Sequence, residues 1–283
     1  MHRLSHSWEL AKRSWGVLRS DKTLAAIPAL AGLAVLAALG LFAALFFLLG
    51  FDFGSDDSSA AVEPAGYVIA VAAYVVFAFI TVYFQGALIA GADDALHGRE
   101  VTIGGAFAAA SGKLHRLLPW AVVTATVTLI ISALERQGWI GDLVASLIGM
   151  AWNVLTFLTV PIIMLEDVGP VTALKRSGTL FKRTWGENLL AQVGFGLIGM
   201  IAVLPAVAVG AIGIATGNVV AIGLAIGVAA IWIVIVNVVI AALSGIYRTA
   251  LYRYAAEHEV PAAFAGEDFE AAFRPRRGRG RFS

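Results

Sequence analysis

The 283-residue chain has no cysteine. That excludes disulfides, thiolate nucleophiles, iron–sulfur ligation and zinc sites built on Cys, while leaving the redox compartment open. Charge is also scarce. Asp, Glu, Lys and Arg make up 14% of residues against 59% hydrophobic ones, and mean hydropathy is +0.84. A soluble domain of this size cannot bury so much apolar surface in one core. Ionisable side chains are scarcest where they would matter most. No Asp, Glu, Lys, Arg or His lies near the middle of any long apolar run, which argues against proton-coupled transport and intramembrane hydrolysis, since both need such groups at depth.

The apolar residues are gathered into six runs, about 24–49, 66–92, 117–134, 140–165, 189–215 and 219–247. A hydrocarbon layer about 30 Å thick takes roughly 20 helical residues to cross. Five runs exceed that length and 117–134 reaches the lower limit, so six membrane spans are expected. The first run is too long for the apolar segment of a signal peptide, and no cleavage is expected. Of the 20 Lys and Arg residues, 5 precede the first run, the successive loops hold 0, 3, 1, 4 and 0, and 7 follow the last run. All but Arg136 therefore fall on one side. Short loops rich in Lys and Arg stay in the cytoplasm during insertion, so both termini and the second and fourth loops are expected there.

Three of the basic segments carry an apolar stripe at helical spacing: Leu4, Trp8, Ala11, Trp15, Leu18; Ile103, Phe107, Ala110, Leu114, Leu117; and Val171, Leu174, Gly178, Phe181, Trp185. Steps of four and three residues trace one helix face. Such helices, about 3–19, 102–116 and 170–186, suit the headgroup layer, with the apolar face toward the acyl chains. A cytoplasmic cap in which the stripes pack on other helices is the alternative. Each helix precedes two apolar runs, and Lys12-Arg13-Ser14-Trp15-Gly16 recurs as Lys182-Arg183-Thr184-Trp185-Gly186. The expected architecture is an all-α polytopic bundle, six spans as three repeats of an elbow helix plus a hairpin. One transmembrane domain over 1–247 is followed by a cytoplasmic, partly disordered tail, 248–283.

The segment Val160-Pro161-Ile162-Ile163-Met164-Leu165-Glu166-Asp167-Val168-Gly169-Pro170 is followed by Ala173-Leu174-Lys175-Arg176-Ser177 and Phe181-Lys182-Arg183-Thr184-Trp185-Gly186-Glu187-Asn188. Together they resemble the signature of an uncharacterised prokaryotic membrane family, domain of unknown function 6159. Ser7-Trp8-Glu9-Leu10, Asp21-Lys22 and Ala250-Leu251-Tyr252-Arg253-Tyr254-Ala255 are similar too, so the resemblance covers nearly the whole chain. It implies a six-span protein of a prokaryotic plasma membrane and implies no activity.

Few residues suggest chemistry. Glu166 and Asp167 end the fourth run just before Pro170, a fitting first residue for the third elbow; acids there favour the positive end of the helix. A cation site or an acid–base pair is the sharper reading, yet no His or third carboxylate lies nearby. Asp93 and His97 share a face at four-residue spacing if the second helix continues, which suits metal ligands. Two ligands are not a site, and Arg99 offers plain ion pairing, so no metal or other cofactor is expected. Within the runs, Gln85, Asn153 and Asn237 are read as bonding between helices, or else as lining a polar pathway beside Pro205, which should kink its span. Gly194-Phe195-Gly196-Leu197-Ile198-Gly199 matches a dinucleotide fingerprint only in letters, because it lies in an apolar helix with no strand before it. Gly213 with Gly217, and Gly223 with Gly227, suit close helix approach. The acidic loop 51–64 lacks calcium-loop spacing. The five arginines of 274–281 suit an anionic leaflet and lack the aromatic platforms of an RNA-binding segment.

The sequence thus favours a non-enzymatic scaffold or accessory component that organises membrane lipid or a membrane-protein partner at the cytoplasmic face. Its working residues would be Trp8, Lys12, Arg13, Trp15, Phe181, Lys182, Arg183 and Trp185. A transporter or channel for a lipid or small neutral solute is the second reading, with Gln85, Asn153, Asn237 and Pro205 on its pathway. A membrane enzyme using Asp93, His97, Glu166 and Asp167 is the third.

Overall fold

A computed structural model describes residues 12–49, 64–136, 138–185 and 191–257. Every regular element among them is a helix: α1 (12–20), α2 (Thr23–Leu48), α3 (Pro64–Leu96), α4 (Ile103–Gly112), α5 (Leu114–Glu135), α6 (Trp139–Thr156), α7 (Thr159–Glu166), α8 (Pro170–Trp185), α9 (Ala191–Ala215) and α10 (Val219–Glu257). Five helical stretches are long and apolar enough to cross a membrane: Thr23–Leu48, Val68–Leu96, Leu114–Glu135, Trp139–Glu166 and Val219–Glu257. In α9 the stretch Gly199–Ala215 is apolar and shorter. This is the build of a multi-pass membrane protein, with backbone polar groups satisfied inside each helix as hydrocarbon demands.

The contacts divide the chain into two compact units, each assembled from separate segments: 1–25, 92–101 and 179–283 in one, 26–91 and 102–178 in the other.

In the second unit α5 and α6 pair, with Trp120 and Trp152 stacked at 5.9 Å between ring centroids. The fourth expected span is not one continuous helix. Pro161 lacks the N–H that would bond to the carbonyl of Phe157, and its ring clashes with that carbonyl. The chain accordingly breaks between α6 and α7, where Phe157 N–H turns back to the Val154 carbonyl. The orphaned N–H of Leu158 donates to Ser177 Oγ of α8 at 3.2 Å, and both residues are fully buried. Thr159 to Met164 are buried throughout. Gly86 of α3 lies so near Met164 and Leu117 that a Cβ there would come within 3.1 Å of the Met164 sulfur.

In the first unit α9 and α10 form a hairpin turned at Gly217, whose φ of 63° suits glycine. Gly217 is therefore a turn residue and not half of a packing pair. Gly213 faces the Ala225 methyl and Gly199 the Ile240 side chain, so these two glycines permit the close approach. Added Cβ atoms at Gly223 and Gly227 would meet nothing within 4 Å, so among the described residues the expected close approach at that pair is not seen. The indole of Trp232 donates to the Ala202 carbonyl at 2.8 Å, three residues before Pro205, through which α9 runs without a break. α10 also runs ten residues past the expected end of its span, with Tyr247, Ala250, Leu251 and Tyr252 buried.

Candidate site at the helix ends

Among the described residues, charged side chains gather at the ends of the long helices around Asp167 in the second unit and around Asp93 in the first. In the second unit α7 ends on Asp167, in the left-handed region at φ 54° and ψ 42°. A non-glycine residue there costs of order 1–3 kcal/mol unless its surroundings hold it, and Asp tolerates the region better than most. Two cations hold it: Lys113 Nζ at 2.5 Å and Arg116 Nε at 3.0 Å from Oδ1. Lys113 is the residue on which α4 hands over to α5. The Lys113 hydrogen bond, with the charges of Lys113 and Arg116, keeps the Asp167 carboxyl below its ordinary value. The neighbouring Glu166 accepts from Arg176 Nε of α8 at 2.6 Å. Glu166 and Asp167 thus bind α7 to the helices around it. Pro170 is the first residue of α8 as expected.

In the first unit Asp93 is buried near the end of α3. Its Oδ1 accepts from Arg253 Nε at 2.9 Å and from Nη2 at 2.7 Å, and its Oδ2 accepts from Arg99 Nη2 at 2.9 Å. Arg99 also donates to Asp94 at 2.7 Å, and this bond with its charge raises the Arg99 pKa. Arg253 further pairs with Glu257 one turn on. His97 and Asp93 do share a face, but His97 Nδ1 lies 2.7 Å from the Asp93 backbone carbonyl and 3.6 Å from its carboxylate. A carboxylate that already accepts three charge-assisted hydrogen bonds would have to give up arginines to ligate a metal. Among the described residues no three His, Asp or Glu side chains gather around a common point.

Arg253 escaped the sequence reading as a partner of Asp93. Its only signal was its place in Ala250–Ala255, a stretch that matched the resembled family without suggesting a role.

Trp8 lies outside the described residues, as do residues 51–63 and 258–283 and the side chains of Arg183 and Trp185. Lys12, Trp15 and Lys182 are exposed, Arg13 is half-buried and Phe181 is buried. The buried faces share Leu18, Ala110 and Phe181 with the expected stripes and are otherwise rotated from them. They are formed by Ser14, Val17 and Leu18 in α1, by Ala106 and Ala110 in α4, and by Ala173, Ser177 and Phe181 in α8. Large apolar residues of the stripes stand beside them in the open: Trp15 is 47% exposed, Ile103 39% and Val171 64%.

Asn237 is exposed and donates to the Ile233 carbonyl of its own helix at 2.8 Å, a local bond where one between helices was expected. Asn153 and Pro205 are exposed and Gln85 is half-buried.

No curated protein and no solved structure matches the chain. Residues 64–261 match a family described as "Family of unknown function (DUF6159)".

Proposed function

From the premise that this chain belongs to DUF6159, a family of unknown function, we propose that it is a non-enzymatic scaffold or accessory protein of the prokaryotic plasma membrane. It crosses the membrane six times with both termini in the cytoplasm, and it organises lipid or a partner there through three elbow helices, α1, α4 and α8. The observation carrying this reading is the two-sided character of those helices. One side of each is buried, by Ser14, Val17 and Leu18, by Ala106 and Ala110, and by Ala173, Ser177 and Phe181, while Trp15, Ile103 and Val171 lie uncovered. Exposed Trp, Ile and Val next to Lys and Arg favour the headgroup layer over water.

α9 supplies the sixth crossing. Its 25 residues span about 37 Å, enough for a hydrocarbon layer of about 30 Å. An even number of crossings also puts 19 of the 20 Lys and Arg residues on one side. The order α1 before α2 and α3, α4 before α5 and α6 with α7, and α8 before α9 and α10 supports three elbow-plus-hairpin repeats. Transport gains no support from the mid-span amides, because Asn237 is engaged within its own helix and Asn153 points outward. Catalysis gains none from Asp93, Glu166 and Asp167, each of which is engaged by Arg or Lys.

The test is purification of the full chain in mild detergent, with mass spectrometry of the proteins and lipids that accompany it. Wild type is compared with a Trp15→Ser/Trp185→Ser variant. The scaffold reading expects a defined set of companions that thins in the variant. Identical recovery from both would overturn the role given to the elbows.

A further inference from the structure

Lys12, Trp15, Gly16 and Arg19 occupy about 100° of the circumference of α1, opposite the buried Ser14, Val17 and Leu18. All four are exposed. Among the described residues neither Lys12 nor Arg19 is paired with a carboxylate. Among the described residues the acid nearest in sequence, Asp21, accepts the Thr23 N–H at the start of α2 with its Oδ1 at 2.9 Å. The face therefore presents an aromatic ring between two cations about 10 Å apart along the helix axis. An indole settles at headgroup level, and the long arms of Lys and Arg bury their methylenes while their charged tips reach outward. Neutral lipid would satisfy the indole alone. The two cations need anions at the same depth, and a lipid phosphate carrying net charge supplies them. α8 offers related chemistry, with Val171 and Lys182 exposed on one face.

We infer that the exposed face of α1 is a binding surface for anionic phospholipid headgroups, with Lys12 and Arg19 engaging phosphates on either side of an inserted Trp15. This rests on the membrane-surface placement of α1 proposed above. It adds selectivity, since the protein would gather anionic lipid around its first elbow. Each cation should favour an anionic over a zwitterionic neighbour by about fivefold, less at high salt.

The absence of cysteine makes the test clean. Gly16 shares this face, and a Cβ built there meets nothing within 4 Å, so Gly16→Cys gives the full chain a single thiol for a fluorescent label. The labelled protein is reconstituted in phosphatidylcholine vesicles with or without phosphatidylglycerol, and quenching by spin-labelled versions of each lipid is compared. Preferential quenching by the phosphatidylglycerol probe is expected. It should vanish in Lys12→Gln/Arg19→Gln and survive in Lys12→Arg/Arg19→Lys. Equal quenching by both lipids, or a preference that persists in the Gln variant, overturns the anionic selectivity while leaving α1 at the membrane surface. Quenching by neither lipid, with free access to a water-soluble quencher, overturns the placement itself and the inference with it.

Discussion

Ser177 Oγ of α8 accepts the backbone N–H of Leu158 at 3.2 Å, at a point where both residues are fully buried. Leu158 needs this partner because Phe157 N–H already takes the Val154 carbonyl as the helix breaks ahead of Pro161. One hydroxyl therefore closes the gap between two helices that the sequence presents as a single span. Ser177→Ala should leave the N–H unpaired in a dry setting and lower stability by about 1–3 kcal/mol. Thermal unfolding in detergent would check this, with Ser177→Thr recovering part of the loss by restoring an acceptor. A Ser177→Ala protein as stable as wild type would show that the break is held by other means.

Asp93 holds Arg253 and Arg99 together, and removing its carboxylate should be felt by both. Breaking a fully buried ion pair costs about 3–5 kcal/mol, and with Arg99 half exposed to solvent Asp93→Ala should cost about 2–3. Asp93→Asn keeps the shape and an acceptor and should cost less. Denaturant unfolding of the two variants, together with limited proteolysis near Glu257, would measure the stability and the loosening of the end of α10.

The pH dependence of Asp167 has a fixed sign. Its folded pKa lies below the ordinary 3.8 because Lys113, and then Arg116, favour the charged form. The stabilisation is therefore complete above the unfolded pKa and is lost as pH falls through the depressed folded value. Asp167→Asn should be less stable than wild type near pH 7, and the difference should close under strongly acidic conditions. Melting curves of both proteins across that range decide it. A gap that stays constant with pH would mean that the carboxylate charge contributes nothing.

Glycine substitutions in the last hairpin should divide by position. Gly213→Ala drives a methyl into that of Ala225 and should already force α9 and α10 apart, and Gly213→Leu should do so further. Gly223→Ala meets nothing within 4 Å among the described residues and should gain up to about 1 kcal/mol in helix propensity. Tryptophan fluorescence of Trp232, whose bond to Ala202 joins the same two helices, would report separation in the first case and none in the second.

The long apolar helices and the start of α8 were legible because each depends on local sequence: run length in one case, a proline suited to the first helical turn in the other. The packing faces were harder. A stripe reading gives weight to large side chains, whereas closely approaching helices select small ones. Ser14, Ala106 and Ala173 therefore joined the stripe residues Leu18, Ala110 and Phe181 in the buried faces, and Trp15, Ile103 and Val171 were left outside. Pro161 could have foretold the broken span, since a proline beyond the first turn of a helix removes the bond to the carbonyl four residues earlier and crowds it. Nothing local foretold Arg253 on Asp93. The two are 160 residues apart, and Arg99 offered a nearer partner that proved only half of the arrangement.

α10 has a mechanical consequence. Its 39 residues make a rod about 58 Å long, nearly twice the thickness of a hydrocarbon layer. Arg253 fastens it to Asp93 close to one end, which leaves about 50 Å of helix on the far side of that fastening. A rod held so works as a lever with unequal arms. A tilt of about 10° around the fastening carries the Val219 end about 9 Å sideways while Glu257 moves by about 1 Å. Any such tilt would have to carry α9 with it, since Trp232 and Gly213 join the two helices along the longer arm.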